Sequence, residues 1–131
     1  MSKKQIGAEV VSLAAYRAAK EVVAANIRSW LRHGTSESRV AMETTVRAIM
    51  ENHHVRNMVF GSFWVHYLPG MGLVIAAKNH KKARGCPRCG SVDNRYLHTD
   101  AQAPTAHAVT WGCVECGEIY GTWEDIDDDA S

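Results

Sequence analysis

The sequence predicts an α+β fold: an N-terminal helical hairpin, a β-hairpin after it, and a small C-terminal module held together by metal. Three observations carry this expectation. Two consecutive stretches place apolar residues at helical spacing, residues 58–77 run without Asp, Glu, Lys or Arg around a Pro-Gly turn, and two C-x-x-C-G units occupy the last third of the 131-residue chain.

Residues 6 to about 32 read as the first helix. Val11, Ala15, Ala18, Val22 and Ala25 recur by three- and four-residue steps, and Ile27, Trp30 and Leu31 extend the stripe. His33-Gly34 marks its end, with Gly34 as a left-handed cap. Thr35-Ser36-Glu37-Ser38 supplies hydroxyl caps and an early acid for a second helix, whose stripe is Met42, Val46, Ile49, Met50 and His53. So short a connection predicts an antiparallel pair with Trp30 in its core. A helix-turn-helix DNA reader is a second reading, although both helices are longer than that motif needs and lack a recognition-helix signature.

Residues 58–77 have the length of a membrane span. Pro69-Gly70-Met71-Gly72 in the middle and the polar His66 count against one, so no membrane association is expected. Val59, Phe60, Phe63, Trp64, Val65 and Tyr67 favour pleated packing, which makes residues 57–78 a β-hairpin around that turn. Periodicity leaves a buried helix open here.

Cys86-Pro87-Arg88-Cys89-Gly90 and Cys113-Val114-Glu115-Cys116-Gly117 repeat one pattern. Two residues between cysteines let one tight turn aim two sulfurs at one ion, and the following Gly permits the positive backbone angle that closes the turn. The N-terminus lacks an apolar core and a cleavage site, so a cytoplasmic protein is expected, in the host cytoplasm if the chain is viral. Thiols stay reduced there, which favours metal over disulfides, and nothing nearby suggests the βαβ unit of a redox pair. The expected cofactor is one structural Zn2+ on Cys86, Cys89, Cys113 and Cys116, with a hairpin in the 23 residues between Cys89 and Cys113. His98 and His107 read as surface residues because four cysteines complete the site. Four thiolates leave no open coordination position, and neither a catalytic triad nor a phosphate-cradling Gly loop is recognisable. A regulator is expected in preference to an enzyme.

Charge divides the chain. Residues 1–85 hold 13 Lys and Arg against 5 Asp and Glu, net +8, whereas residues 86–131 hold 2 against 9, net −7. The expected organisation is residues 1–80 as the helical module, 81–85 as a basic hinge, 86–124 as the ribbon and 125–131 as an acidic tail. Lys78, Lys81, Lys82, Arg84 and Arg88 are candidates for phosphate contact with nucleic acid. Glu115, Glu118, Tyr120, Trp123 and Glu124 are candidates for a protein-binding face.

Together with Asn94-Arg95-Tyr96-Leu97 and the segment Tyr120-Gly121-Thr122-Trp123-Glu124, the first cysteine pair resembles the zinc module of Ogr/Delta-type phage late-transcription activators. Those proteins place an aromatic, a Thr, another aromatic and a Glu after the last cysteine. The likeness covers residues 86–126 and implies action at promoters with host RNA polymerase as the protein partner. A longer gap is usual in their second cysteine pair than the two residues here. In spacing the ribbon is similar to those of transcription elongation factor S and related polymerase subunits. Cleavage-stimulating members carry an Asp-Glu pair on the hairpin; here that region reads Asp100-Ala101-Gln102-Ala103-Pro104-Thr105, so cleavage stimulation is not implied. The leading expectation is therefore a transcription regulator contacting RNA polymerase, nucleic acid or both. The alternative is an inhibitor or adaptor whose acidic ribbon occupies a basic site on a partner. In either case Cys113→Ser is expected to unfold the ribbon and leave the helical half folded.

Overall fold

The computed structural model describes residues 2–103 and 105–125, so the expected acidic tail beyond Asp125 lies outside the described residues, as does the side chain of Val11. Helix α1 spans Ser2–His33 and α2 spans Ser36–Asn52. The stripe that α1 buries keeps the expected Ile27, Trp30 and Leu31 and differs before them. Ala15, Ala18, Val22 and Ala25 are exposed, whereas Ala19 and Val23 are buried. Alanines bury too little area to orient a helix; the larger Val23, Ile27 and Leu31, at four-residue steps, set the rotation.

At the start of α2, Thr35 Oγ1 accepts from the Ser38 N–H at 3.2 Å and Ser38 Oγ accepts from the Thr35 N–H at 2.6 Å, a reciprocal cap. Met42, Val46 and Met50 then face the core, while Ile49 is only partly buried. Gly34 is not a left-handed cap, since it is absent from the positive-φ glycines among the described residues. Its N–H donates to Trp30 O at 2.7 Å, and a Cβ there would lie 2.5 Å from that same oxygen. The position is glycine for space.

Strands β1 (Asn57–Val59), β2 (Phe63–Leu68) and β3 (Gly72–Ala77) form an antiparallel sheet in that order. Residues 58–77 are thus strands and turns, and no described helix is long and apolar enough to cross a membrane. Alternation along β2 turns Phe63 and Val65 toward the helices and Trp64 and His66 to the opposite face.

The second sheet has the order β4-β7-β6-β5, from β4 (His80–Lys81), β5 (Asn94–Ala103), β6 (Ala106–Cys113) and β7 (Ile119–Asp125). The β5–β6 pair is the hairpin expected between the cysteine pairs. Edge strand β3 meets the face of this sheet, where the Ala77 N–H donates to Thr110 Oγ1 at 2.8 Å. Leu97 and Ile119 belong to one core with Ile27, Leu31, Met50 and Phe63. At Gly112 the sheet touches α1 closely enough that a Cβ would lie 2.7 Å from Leu31 Cδ1. The helical half and the ribbon therefore share their interior.

Candidate metal centre

Each cysteine pair sits in a turn of the same construction. The Gly90 N–H donates to Cys86 O at 2.9 Å, the Gly117 N–H donates to Cys113 O at 2.9 Å, and the two glycines have φ of +79° and +82°. Neighbouring backbone fastens the turns, through Cys86 N–H to Ser91 O at 2.8 Å and Cys113 N–H to Glu118 O at 2.8 Å. The β5–β6 hairpin and β7 then bring the two turns together. All four Sγ atoms lie within 4.8 Å of one another, with Cys86–Cys116 at 3.5 Å and Cys89–Cys113 at 3.6 Å. Those distances are far beyond a disulfide bond of about 2.05 Å, and the cysteines are free. Four convergent sulfurs make a metal-binding cluster, and the ligand set holds no histidine.

Its electrostatics ask for a cation. Burial pushes the Cys86 thiol up, but the N–H groups of Cys89 and Arg88, donating to its sulfur at 3.4 and 3.3 Å, outweigh that and hold it at about 7. At Cys116 burial and then the sulfurs of Cys86, Cys89 and Cys113 push the thiol up to about 12. Burial and the neighbouring sulfurs thus oppose the Cys116 thiolate, and a bound cation relieves that opposition.

The chain matches no family model, no curated protein and no solved structure. Identification therefore rests on the site itself.

The five cations expected to meet phosphate have different surroundings. Lys81 Nζ donates to Gly85 O at 2.7 Å, and Arg84 pairs with Glu124 at 3.2 Å while its guanidinium lies 4.0 Å from the Trp111 ring centre. Lys82 and Arg88 are exposed and make no ion pair among the described residues, and Lys78 lies 5.8 Å from the Trp64 ring centre. The residues expected to form one acidic face are dispersed. Tyr120 is buried against Cys86 and Cys113, with its hydroxyl bonded to Asn94 and accepting from the Gly85 N–H at 3.3 Å. Glu124 is held by Arg84, Trp123 is on the opposite face of β7 beside His80, and only Glu115 and Glu118 remain together near the second turn.

Burial lifts the Glu124 carboxyl, but bonds from Thr122 and Arg84 bring it below the ordinary carboxylate range. Trp64 and His66, marked in the sequence only for strand character and polarity, and His80, which the sequence did not mark as a site residue, line a cleft with Trp123. The two-residue alternation of β2 carried the signal, since Trp64 and His66 fall off the Phe63-Val65 core face.

Proposed function

We propose that this protein is a regulator that acts by binding, with a structural zinc ion closing its C-terminal module and the adjoining basic segment contacting nucleic acid. Zinc suits the cluster because tetrahedral Zn–S bonds of about 2.3 Å place sulfurs about 3.8 Å apart. The neighbouring pairs here lie at 3.5 and 3.6 Å. With four thiolates bound, zinc supplies cross-linking of the turns and has no position for substrate.

The observation that carries the nucleic-acid reading is a gap in the acidic residues. Between Glu51 and Asp93 the chain has six cations, Arg56, Lys78, Lys81, Lys82, Arg84 and Arg88, and no carboxylate. A segment so biased gains affinity for phosphates by counterion release. RNA polymerase is the protein partner that the ribbon's resemblance implies, which makes transcription the proposed setting.

The test is fluorescence anisotropy of labelled DNA with zinc-loaded protein across a salt series. Replacing Lys82 and Arg88 by Ala should make the slope of log affinity against log salt shallower by about one to two. Absence of binding to single-stranded and duplex DNA at low salt would remove the reading. The adaptor reading keeps support from Glu115 and Glu118 alone, because Tyr120 is buried and Glu124 is paired. Glu115→Lys with Glu118→Lys should abolish protein capture if that reading holds.

A further inference from the structure

The first sheet has two faces, and the helices cover one of them. On the other, Trp64, His66 and Lys78 look across an open corner toward Trp123, His98 and Asp100 of the second sheet. The cleft between them has a volume of about 520 Å3. Small-ligand sites span roughly 300–1,000 Å3.

Its walls are aromatic on both sides. Trp64 stands 6.3 Å from His66 and Trp123 stands 5.2 Å from His80, between ring centres. Leu68, Met71 and Trp123 around the opening are 40%, 72% and 43% exposed. Packing does not account for this concentration of exposed apolar surface, since Phe63, Val65, Leu73 and Ile75 on the other face make the core.

An apolar peptide and an unpaired nucleobase both suit an aromatic cleft, and the one Lys or Arg in its lining, Lys78, stands 5.8 Å from the Trp64 ring centre, where a base would bring a phosphate. The whole wall from Trp64 to His80 falls within the carboxylate-free run, and the one acid lining the cleft, Asp100, is bonded to His98 at 2.9 Å. At the end of β3 nearest the second sheet, the Ala77 N–H is already given to Thr110 Oγ1 and is not open to a peptide strand. Indole faces beside a lysine are what single-stranded nucleic acid uses, because every base has a π-face and every link a phosphate.

We propose that this cleft takes an unpaired base of a single-stranded nucleic acid, stacked on Trp64 or Trp123, with the adjoining phosphate at Lys78. This rests on the nucleic-acid reading above and narrows it to single strands with little base preference.

Anisotropy on zinc-loaded protein should compare a labelled oligothymidylate of about ten nucleotides with an abasic strand of equal length and a duplex. The thymidylate should bind about tenfold more tightly than the abasic strand, as stacking of one base allows. Trp123→Ala and Trp64→Ala should each remove most of that preference, and Trp64→Phe should restore it. Lys82→Ala should weaken both strands by the same factor. Zinc content and thermal midpoint establish that each variant is folded, and the half-exposed Trp123 keeps the test open should Trp64→Ala fail to fold. Equal affinity for thymidylate and abasic strands, tighter binding of the duplex, or a preference that survives both Ala variants overturns the cleft proposal and leaves nucleic-acid binding in place. Binding of none of the three probes overturns both. A change in tryptophan fluorescence that Trp123→Phe removes, on adding a peptide of alternating Glu and Leu with no oligonucleotide bound, makes the cleft a peptide groove and overturns the proposal.

Discussion

Gly34 illustrates how a residue's reason can differ from its type. Glycine after a helix predicts a left-handed cap, but this one is required because Trp30 O would be 2.5 Å from a Cβ. That oxygen belongs to the last turn of α1 and moves only if the turn opens. Gly34→Ala should therefore lower stability by about 1–3 kcal/mol in urea unfolding. Gly61→Ala is the control, with nothing within 4 Å of its Cβ and no positive φ, and should be neutral or stabilising by up to about 1 kcal/mol. Equal midpoints for the two variants would remove the steric explanation. His80 gives a second test at this scale. Burial holds its pKa below 6.5, with Asp100 opposing. A depressed folded-state value means that its contribution is full above 6.5 and is lost as pH falls toward the folded value. The decline in Tm from about pH 7.5 to 5.5 should be shallower in His80→Gln than in the parent. The cysteines were legible in the sequence because their geometry is local, a turn of fixed length. Contacts such as Gly34 on Trp30, or His80 over Gly121, depend on how the chain comes together.

Strand β7 shows why the metal ligands were readable and the surface around them was not. Tyr120 and Trp123 are three residues apart, a spacing that shares a face on a helix and splits across a strand. Tyr120, Thr122 and Glu124 accordingly line up with Trp111, while Trp123 points to the cleft. Along α1 the Ala-rich part of the expected stripe lies on the exposed face for a related reason, since alanines satisfy a period without fixing which face is buried, whereas Ile27, Trp30 and Leu31 are buried as expected. The helix pair, its cap and the turn at Gly70 were legible because hydroxyl caps and Pro-Gly turns act within a few residues. The segment of residues 81–85 is fastened by β7, since Tyr120 Oη accepts from the Gly85 N–H and Arg84 reaches Glu124. Tyr120→Phe leaves that N–H without its partner and should cost about 1–3 kcal/mol. Amide exchange at Gly85 should speed up while metal content stays the same. Unchanged exchange there would show that the tyrosine hydroxyl does not hold the segment.

At the scale of the molecule, the described residues of the basic and acidic halves make little use of their opposite charge. Among them Arg84–Glu124 is the one Lys or Arg ion pair that joins the two halves. Their apolar residues are joined far more completely. Leu97 and Ile119 are buried with Ile27, Leu31 and Phe63, and Gly112 rests on Leu31. Losing the ribbon therefore opens the core of the helical half, contrary to the independence that charge and motif boundaries suggested. Structural zinc contributes roughly 10–16 kcal/mol in finger peptides, against about 5–15 kcal/mol for the net stability of a whole domain. Loss of the proposed zinc would then be large enough to unfold everything coupled to it. Chelation under reducing conditions, or Cys113→Ser, should abolish or sharply lower the helical circular-dichroism transition together with the tryptophan-fluorescence transition. The two signals should move as one, and added zinc should restore the parent protein but not the variant. Helical melting at its original midpoint after the metal is gone would mean that α1, α2 and the first sheet fold by themselves, and that the shared core contributes nothing measurable to either half.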